Sequence, residues 1–265
     1  MKATLGHLEV QYDLEGKEGA PVVMCSHCLA ATREIWMRQL PDLCRQYRVL
    51  RYDIRGHGGS AAPDEDYTME QLAEDAVGLL DHLDITDVHF MGISLGGMIG
   101  QVLGAEHPHR VKSLVLCDTA CRVDPGLQPV WEERIETARN DGMDALVQPT
   151  LERWLSDAFR RNAPEITSQI EHMIRETPVT GFAGCCRAIS GFDALDRLSR
   201  IAAPTLVMVG EDDPGTPVSE AETIARNVSG SELAVIKGAR HLSNVEAYKA
   251  FNERLLAFLQ GASEA

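Results

Sequence analysis

Residues 88–104 constrain this chain more than any other stretch. Val88-His89-Phe90-Met91 is a short, largely apolar run that ends at Gly92. From Leu95 onward, Met98, Ile99, Val102 and Leu103 recur at helical spacing. Between the two lies Gly92-Ile93-Ser94-Leu95-Gly96, a G-x-S-x-G pattern. A serine on so sharp a strand-to-helix turn is held in strained backbone geometry. Side chains two residues to either side would collide with the neighbouring chain, and glycine at both places relieves this. The turn leaves the Ser94 hydroxyl exposed at the head of a helix, where free backbone N–H groups and the positive end of the helix dipole favour developing negative charge. A glycine-rich turn with an incidental serine is the bland alternative. An acid and a histidine following in the right order separate the two.

The rest of the chain supplies a sheet for such a turn to sit on. Leu5–Leu14 alternates as one or two edge strands, and Pro21–Cys25, Tyr47–Tyr52 and Val111–Cys117 are short apolar strands. Helices are expected over 33–46 and after the capping box Thr68-Met69-Glu70-Gln71. This alternation predicts an α/β fold, a mostly parallel sheet covered by helices on both faces. The pattern breaks over residues 120–183, where helical segments are punctuated by prolines at 125, 129, 149, 164 and 178. Loops at the carboxyl ends of strands line the ligand crevice of an open α/β sheet. Residues 120–183 are therefore expected to form a helical cap over Ser94, with 1–119 and 184–265 as the core. Alternation resumes with a helix over 182–198, the apolar strand Pro204–Gly210, a strand at Leu233–Ile236 and a closing helix over 245–259.

A serine hydroxyl is a poor nucleophile until a base takes its proton. An imidazole suits that task near neutral pH, and a carboxylate fixes its tautomer. Of nine histidines, His241 alone follows the last expected strand. Asp212 and Asp213 compete for the acid; Asp213 is preferred because Pro214 stiffens the turn behind it. The order Ser94, Asp213, His241 is the one expected when the serine stands on a strand–turn–helix elbow. His27 and His57 lie in loops that reach the same sheet edge, and His27 is expected to approach the pocket. Asp53–Ser60 reads as a hydrogen-bonded loop.

Charge and cysteine usage narrow the partners. A formal net charge of −15 argues against nucleic acid, and an anionic substrate has to be drawn in by local arginines. Neither a signal peptide nor an apolar stretch of membrane-spanning length is apparent, so a cytoplasmic protein with no membrane partner is expected. The seven cysteines are expected to be reduced thiols. Cys25-x-x-Cys28 has no second ligand pair at suitable spacing, so no metal site is expected. A homo-oligomer stays open.

Taken together, these residues resemble the α/β-hydrolase superfamily. Asp53-Ile54-Arg55-Gly56-His57-Gly58-Gly59-Ser60 adds its D-x-R-G-x-G-x-S loop. Three stretches narrow the likeness to 3-oxoadipate enol-lactonases: Gly181–Ile189, Gly210–Pro217 and Ala239–Glu246. The resemblance implies a serine hydrolase acting on a small-molecule ester or lactone through an acyl-enzyme, without a cofactor. Ser94 is then the nucleophile, Asp213 the orienting acid and His241 the general base. The backbone N–H groups of Leu29 and Leu95 form the oxyanion hole. A lactone bearing a carboxylate needs a cation in the pocket, and the cap offers Arg122, Arg134 and Arg153 near Trp131 and Trp154. Trp131, Arg134 and Trp154 are the expected substrate contacts. A broad carboxylesterase or a carbon–carbon bond hydrolase would use the same triad. A ligand-binding receptor on a hydrolase scaffold would use none of it.

Overall fold

Which strands bury one face and which bury two follows from their composition. The computed structural model of this protein describes residues 1–264. The edge hairpin joins β1 (Lys2–Leu5) to β2 (Leu8–Gly16); along β2, Leu8, Val10 and Tyr12 point inward while Glu9 faces water. The all-buried strands are β5 (Val88–Ile93) and β7 (Thr205–Gly210). They sit in the interior of the sheet, where helices cover both faces and every side chain must be apolar or partnered. With β3 (Val22–Ser26), β4 (Arg48–Tyr52), β6 (Val111–Cys117) and β8 (Glu232–Ile236), they make one eight-stranded sheet in the order β1-β2-β4-β3-β5-β6-β7-β8. Only the β1–β2 and β2–β4 pairings are antiparallel.

The expected helix over 33–46 is two short pieces instead, a 3-10 turn at Arg33–Trp36 and α1 (Leu40–Leu43). Pro41 can only open a helix, because it has no N–H to donate to the preceding turn. α2 (Met69–His82) starts where the capping box places it, with the Thr68 hydroxyl accepting the Gln71 N–H at 3.1 Å. α3 (Leu95–Glu106) follows β5 directly.

Five helices separate β6 from β7: α4 (Gln128–Asp141), α5 (Asp144–Trp154), α6 (Asp157–Asn162), α7 (Pro164–Arg175) and α8 (Val179–Ser190). α8 begins within the segment read as cap and belongs to both layers. It packs on α4, yet Gly181 lies so close to Gly56 that a Cβ there would meet the Gly56 carbonyl at 2.0 Å. The expected helix over 182–198 ends at Ser190, and a 3-10 turn at Leu195–Arg200 follows. The closing segment is α9 (Val218–Asn227), α10 (Ser243–Glu246) and α11 (Tyr248–Glu264), with Trp36 and Phe251 packed together beneath it. Among the described residues no helix is long and apolar enough to cross a membrane.

Candidate active site

Ser94 has φ 54° and ψ −113°, a conformation L-residues rarely hold. Surrounding packing enforces it. A Cβ on Gly92 would meet the Gly96 carbonyl at 2.1 Å, and one on Gly96 would meet the Ser26 carbonyl at 2.2 Å. The Ser94 N–H donates to the Cys117 carbonyl at 2.9 Å, the Gly96 N–H to the His27 carbonyl at 3.0 Å, and the Thr119 hydroxyl to the Ser94 carbonyl at 2.7 Å. Thus β3, β5 and β6 all hold the elbow.

The loops after β7 and β8 bring Asp213 and His241 together. His241 Nδ1–H donates to Asp213 Oδ2 at 2.8 Å, whereas Asp212 is exposed and its N–H binds the Ala239 carbonyl. Asp213 also accepts the Thr216 hydroxyl at 2.7 Å and the N–H groups of Gly215 and Thr216 at 2.8 and 3.2 Å. Burial alone would raise the Asp213 carboxyl, but the facing imidazole and these donors hold it below the usual range. For His241, burial opposes the charged form, yet the attraction of Asp213 wins and the imidazole is raised. With Nδ1 engaged, Nε2 remains to serve the site. Thr216 carried no sequence signal beyond its place three residues after the acid.

Ser94 and His241 line one cavity of about 440 Å³ beneath α4 and α5, together with Leu29, Trp131, Arg134 and Trp154. The Trp154 ring stacks on the imidazole, centroids 6.4 Å apart at 27°. Arg134 lies over Trp131 at 4.7 Å and Phe182 at 5.5 Å; its Nε is buried without a partner, and it forms no ion pair among the described residues. Arg153 lines the same cavity with a single polar partner among the described residues, the Thr150 hydroxyl at 3.2 Å. Its pKa falls to about 10, through burial and then repulsion by Arg134. Arg122 also reaches the cavity, from an exposed position.

His27 departs from expectation. It is fully buried below the cavity rather than on its wall. Nε2 accepts the Ile54 N–H at 2.9 Å, so Nδ1 carries the proton and donates to the Cys28 carbonyl at 2.8 Å. His57 acts in the same way on the next residues, accepting the Ala30 N–H at 2.9 Å. The two rings meet edge to face with centroids 5.2 Å apart, and burial lowers their pKa values to about 4 and about 3. Both are neutral struts that shape the Cys28–Ala30 backbone around Leu29. Ala30 itself sits at φ 60°. The Asp53–Ser60 loop is closed by Asp53, which accepts the N–H of Gly59 at 2.9 Å and pairs with Arg33 at 2.6 Å. Cys25 and Cys28 are buried thiols, Cys25 pushed up to about 12 by burial. Among the described residues no cluster of His, Cys, Asp and Glu could hold a metal ion.

An elbow serine after β5, an acid after β7 and a histidine after β8 define a class, and comparison agrees. Residues 21–248 match the family described as alpha/beta hydrolase fold, and this chain belongs to that family. Within it, the chain is 33% identical over 257 residues to 3-oxoadipate enol-lactonase 2 of Acinetobacter baylyi, covering 97% of this chain and 95% of the relative. It is 30% identical to a putative carbamate hydrolase RutD of Agrobacterium fabrum, covering 97% and 99%. The crystal structure of the enol-lactonase from Burkholderia xenovorans LB400 superposes with a TM-score of 0.95 at 34% identity, covering 98% and 100%.

Proposed function

We propose that this protein is a serine hydrolase that opens a small, carboxylate-bearing lactone through an acyl-enzyme, with a substrate of the 3-oxoadipate enol-lactone type. One observation carries the substrate reading. The cavity that holds Ser94 and His241 also holds Arg134 and Arg153, two guanidiniums with no carboxylate partner among the described residues. Keeping two such cations close and partly desolvated is unfavourable unless an anion arrives to accept their hydrogen bonds. The similarity to enol-lactonases points the same way.

In this reading His241 Nε2 takes the Ser94 proton as Oγ attacks the lactone carbonyl. Asp213 holds the imidazole in the required tautomer and stabilises the imidazolium. The N–H groups of Leu29 and Leu95 receive the oxyanion; Leu95 is the first residue of α3, so its N–H is free of the helix. Collapse of the tetrahedral species breaks the ring C–O bond, and His241 returns its proton to the leaving enol oxygen, which stays tethered to the acyl group. A water then attacks the acyl-enzyme by the same route, releasing a second carboxylate and restoring Ser94. Arg134 pairs with the carboxylate the substrate brings, while Trp131 and Trp154 flank the ring.

A neutral-ester hydrolase is the second reading, favoured by the apolar walls at Met98, Val123, Leu127 and Ile189. Turnover of a p-nitrophenyl ester and of a carboxylated lactone separates the two. Ser94→Ala is expected to abolish both activities; tight ligand binding with no turnover by the wild type would mean a receptor instead. Arg134→Ala is expected to raise KM for the carboxylated lactone by about tenfold or more, the worth of a charge-assisted hydrogen bond, with little effect on the neutral ester. Equal effects on both substrates would remove the clamp.

A further inference from the structure

Asp118, directly after β6, is a buried carboxyl the mechanism above does not use. It has no exposed surface, makes no ion pair among the described residues, and sits at φ 44°, outside the range L-residues favour. Its contacts reach both halves of the acid–base pair. Oδ1 accepts the N–H of Gly210, the last residue of β7, at 2.7 Å; Asp213 lies three residues further on. Oδ2 lies 2.5 Å from the hydroxyl of Ser243, two residues beyond His241. Asp118 N–H donates to the Met208 carbonyl at 2.8 Å, which sets its own position from β7. Gly210 is already in tight contact with the approach to His241, since a Cβ there would meet the Arg240 carbonyl at 2.3 Å.

We propose that Asp118 is a positioning residue that ties the Asp213 loop to the segment following His241, and that it does so as an uncharged acid. The inference rests on the triad reading above. A charged carboxylate in this place would be fully buried with no ion pair among the described residues. The Gly210 N–H and the Ser243 hydroxyl both donate to it and suit either form, so it is complete burial without an ion pair that favours the neutral one. The titratable groups facing it are Asp213 from the loop after β7, His241 from the loop after β8, Cys28 from the loop after β3, and the adjoining Cys117. Burial first, and repulsion by Asp213 second, push its pKa up to about 8. Ionisation above that pH adds negative charge beside the imidazole and favours its protonated form.

Asparagine reproduces the neutral acid in shape and in hydrogen bonding; alanine removes both ties. Asp118→Asn is expected to keep kcat within about threefold on a p-nitrophenyl ester, less than one ordinary hydrogen bond. Asp118→Ala is expected to lower kcat by about 100-fold with KM nearly unchanged, the effect of an ångström-scale misplacement of catalytic groups. The wild-type kcat–pH profile should carry an inflection near pH 8 that Asp118→Asn lacks. The downfield proton resonance of the His241–Asp213 hydrogen bond, readable without substrate, should persist in the asparagine variant and shift or vanish in the alanine one. Equal loss in both variants, superposable pH profiles, or an unmoved resonance in a folded alanine variant would overturn the proposal. An active Ser94→Ala control would overturn the triad reading instead.

Discussion

Asp213 keeps its charge in a buried place because four donors converge on it: the Gly215 and Thr216 amides, the Thr216 hydroxyl and His241 Nδ1. Such an arrangement fixes both the carboxylate and the tautomer of the imidazole it faces. Asp213→Asn is therefore expected to lower kcat by about 10⁴ at neutral pH while the fold persists. Steady-state kinetics on one ester checks it; a comparable loss in Asp212→Asn would show the acid misassigned. His27 is the opposite case, a histidine whose two nitrogens are consumed by backbone groups and whose charge state never changes in the working range. A histidine in a loop near the pocket reads alike from sequence whether its ring lines the cavity or braces the loop beneath it. Only the positions of the Ile54 amide and Cys28 carbonyl decide.

Among elements, α5 does more than roof the cavity. Its last turn is fastened to the loop that bears His241. The Leu242 N–H donates to the Trp154 carbonyl at 3.1 Å, and the Arg240 guanidinium reaches the Glu152 carbonyl. Glu246 completes the junction, accepting the Ser156 N–H at 3.0 Å and the Arg240 N–H at 2.9 Å. The end of α5 and the loop that bears His241 are thus fastened together at this corner. Removing the carboxylate leaves both amides to find other partners, a loss of about 1–3 kcal/mol concentrated at the α5–α6 link. Glu246→Ala is expected to speed tryptic cleavage at Arg160 and Arg161 by about fivefold or more if cleavage follows local opening. An unchanged digestion rate would show that the cap is held elsewhere. None of this was legible in the proline-broken run over 120–183, which marks helices but does not say what their ends touch. α8 shows the same limit: its start at Val179 is set by Pro178, while its attachment to the core depends on Gly181 meeting Gly56, far apart in sequence.

For the whole molecule, buried titratable groups set the pH range of stability. His27 and His57 titrate near 6.5 when unfolded but only at about 4 and about 3 in the native state. As pH falls below about 6.5 the unfolded chain therefore takes up protons that the native one refuses. Stability declines until the native pKa values are reached. Asp118 works in the opposite direction. Its pKa rises from 3.8 to about 8 on folding, so its contribution weakens as pH climbs between those values. Thermal melts across pH 4–9 are expected to show a fall in Tm below about pH 6.5 that His57→Asn or His27→Asn reduces, and Asp118→Asn is expected to remove a downward component that runs from about pH 4 to about pH 8. Melts of the three variants parallel to wild type at all pH values would contradict this. The alternating strands and helices, the elbow at Ser94 and the order serine, acid, histidine were all readable in the chain. They depend on local period, on glycines a tight turn demands, and on one rule about strand ends. Tertiary structure alone decided that His27 and His57 brace the Leu29 loop, that Arg134 and Arg153 share a cavity without carboxylate partners among the described residues, and that Asp118 lies behind the Asp213–His241 pair. Each of those outcomes depends on groups brought within hydrogen-bonding or Coulombic range from separate strands, a distance that spacing along the chain does not encode.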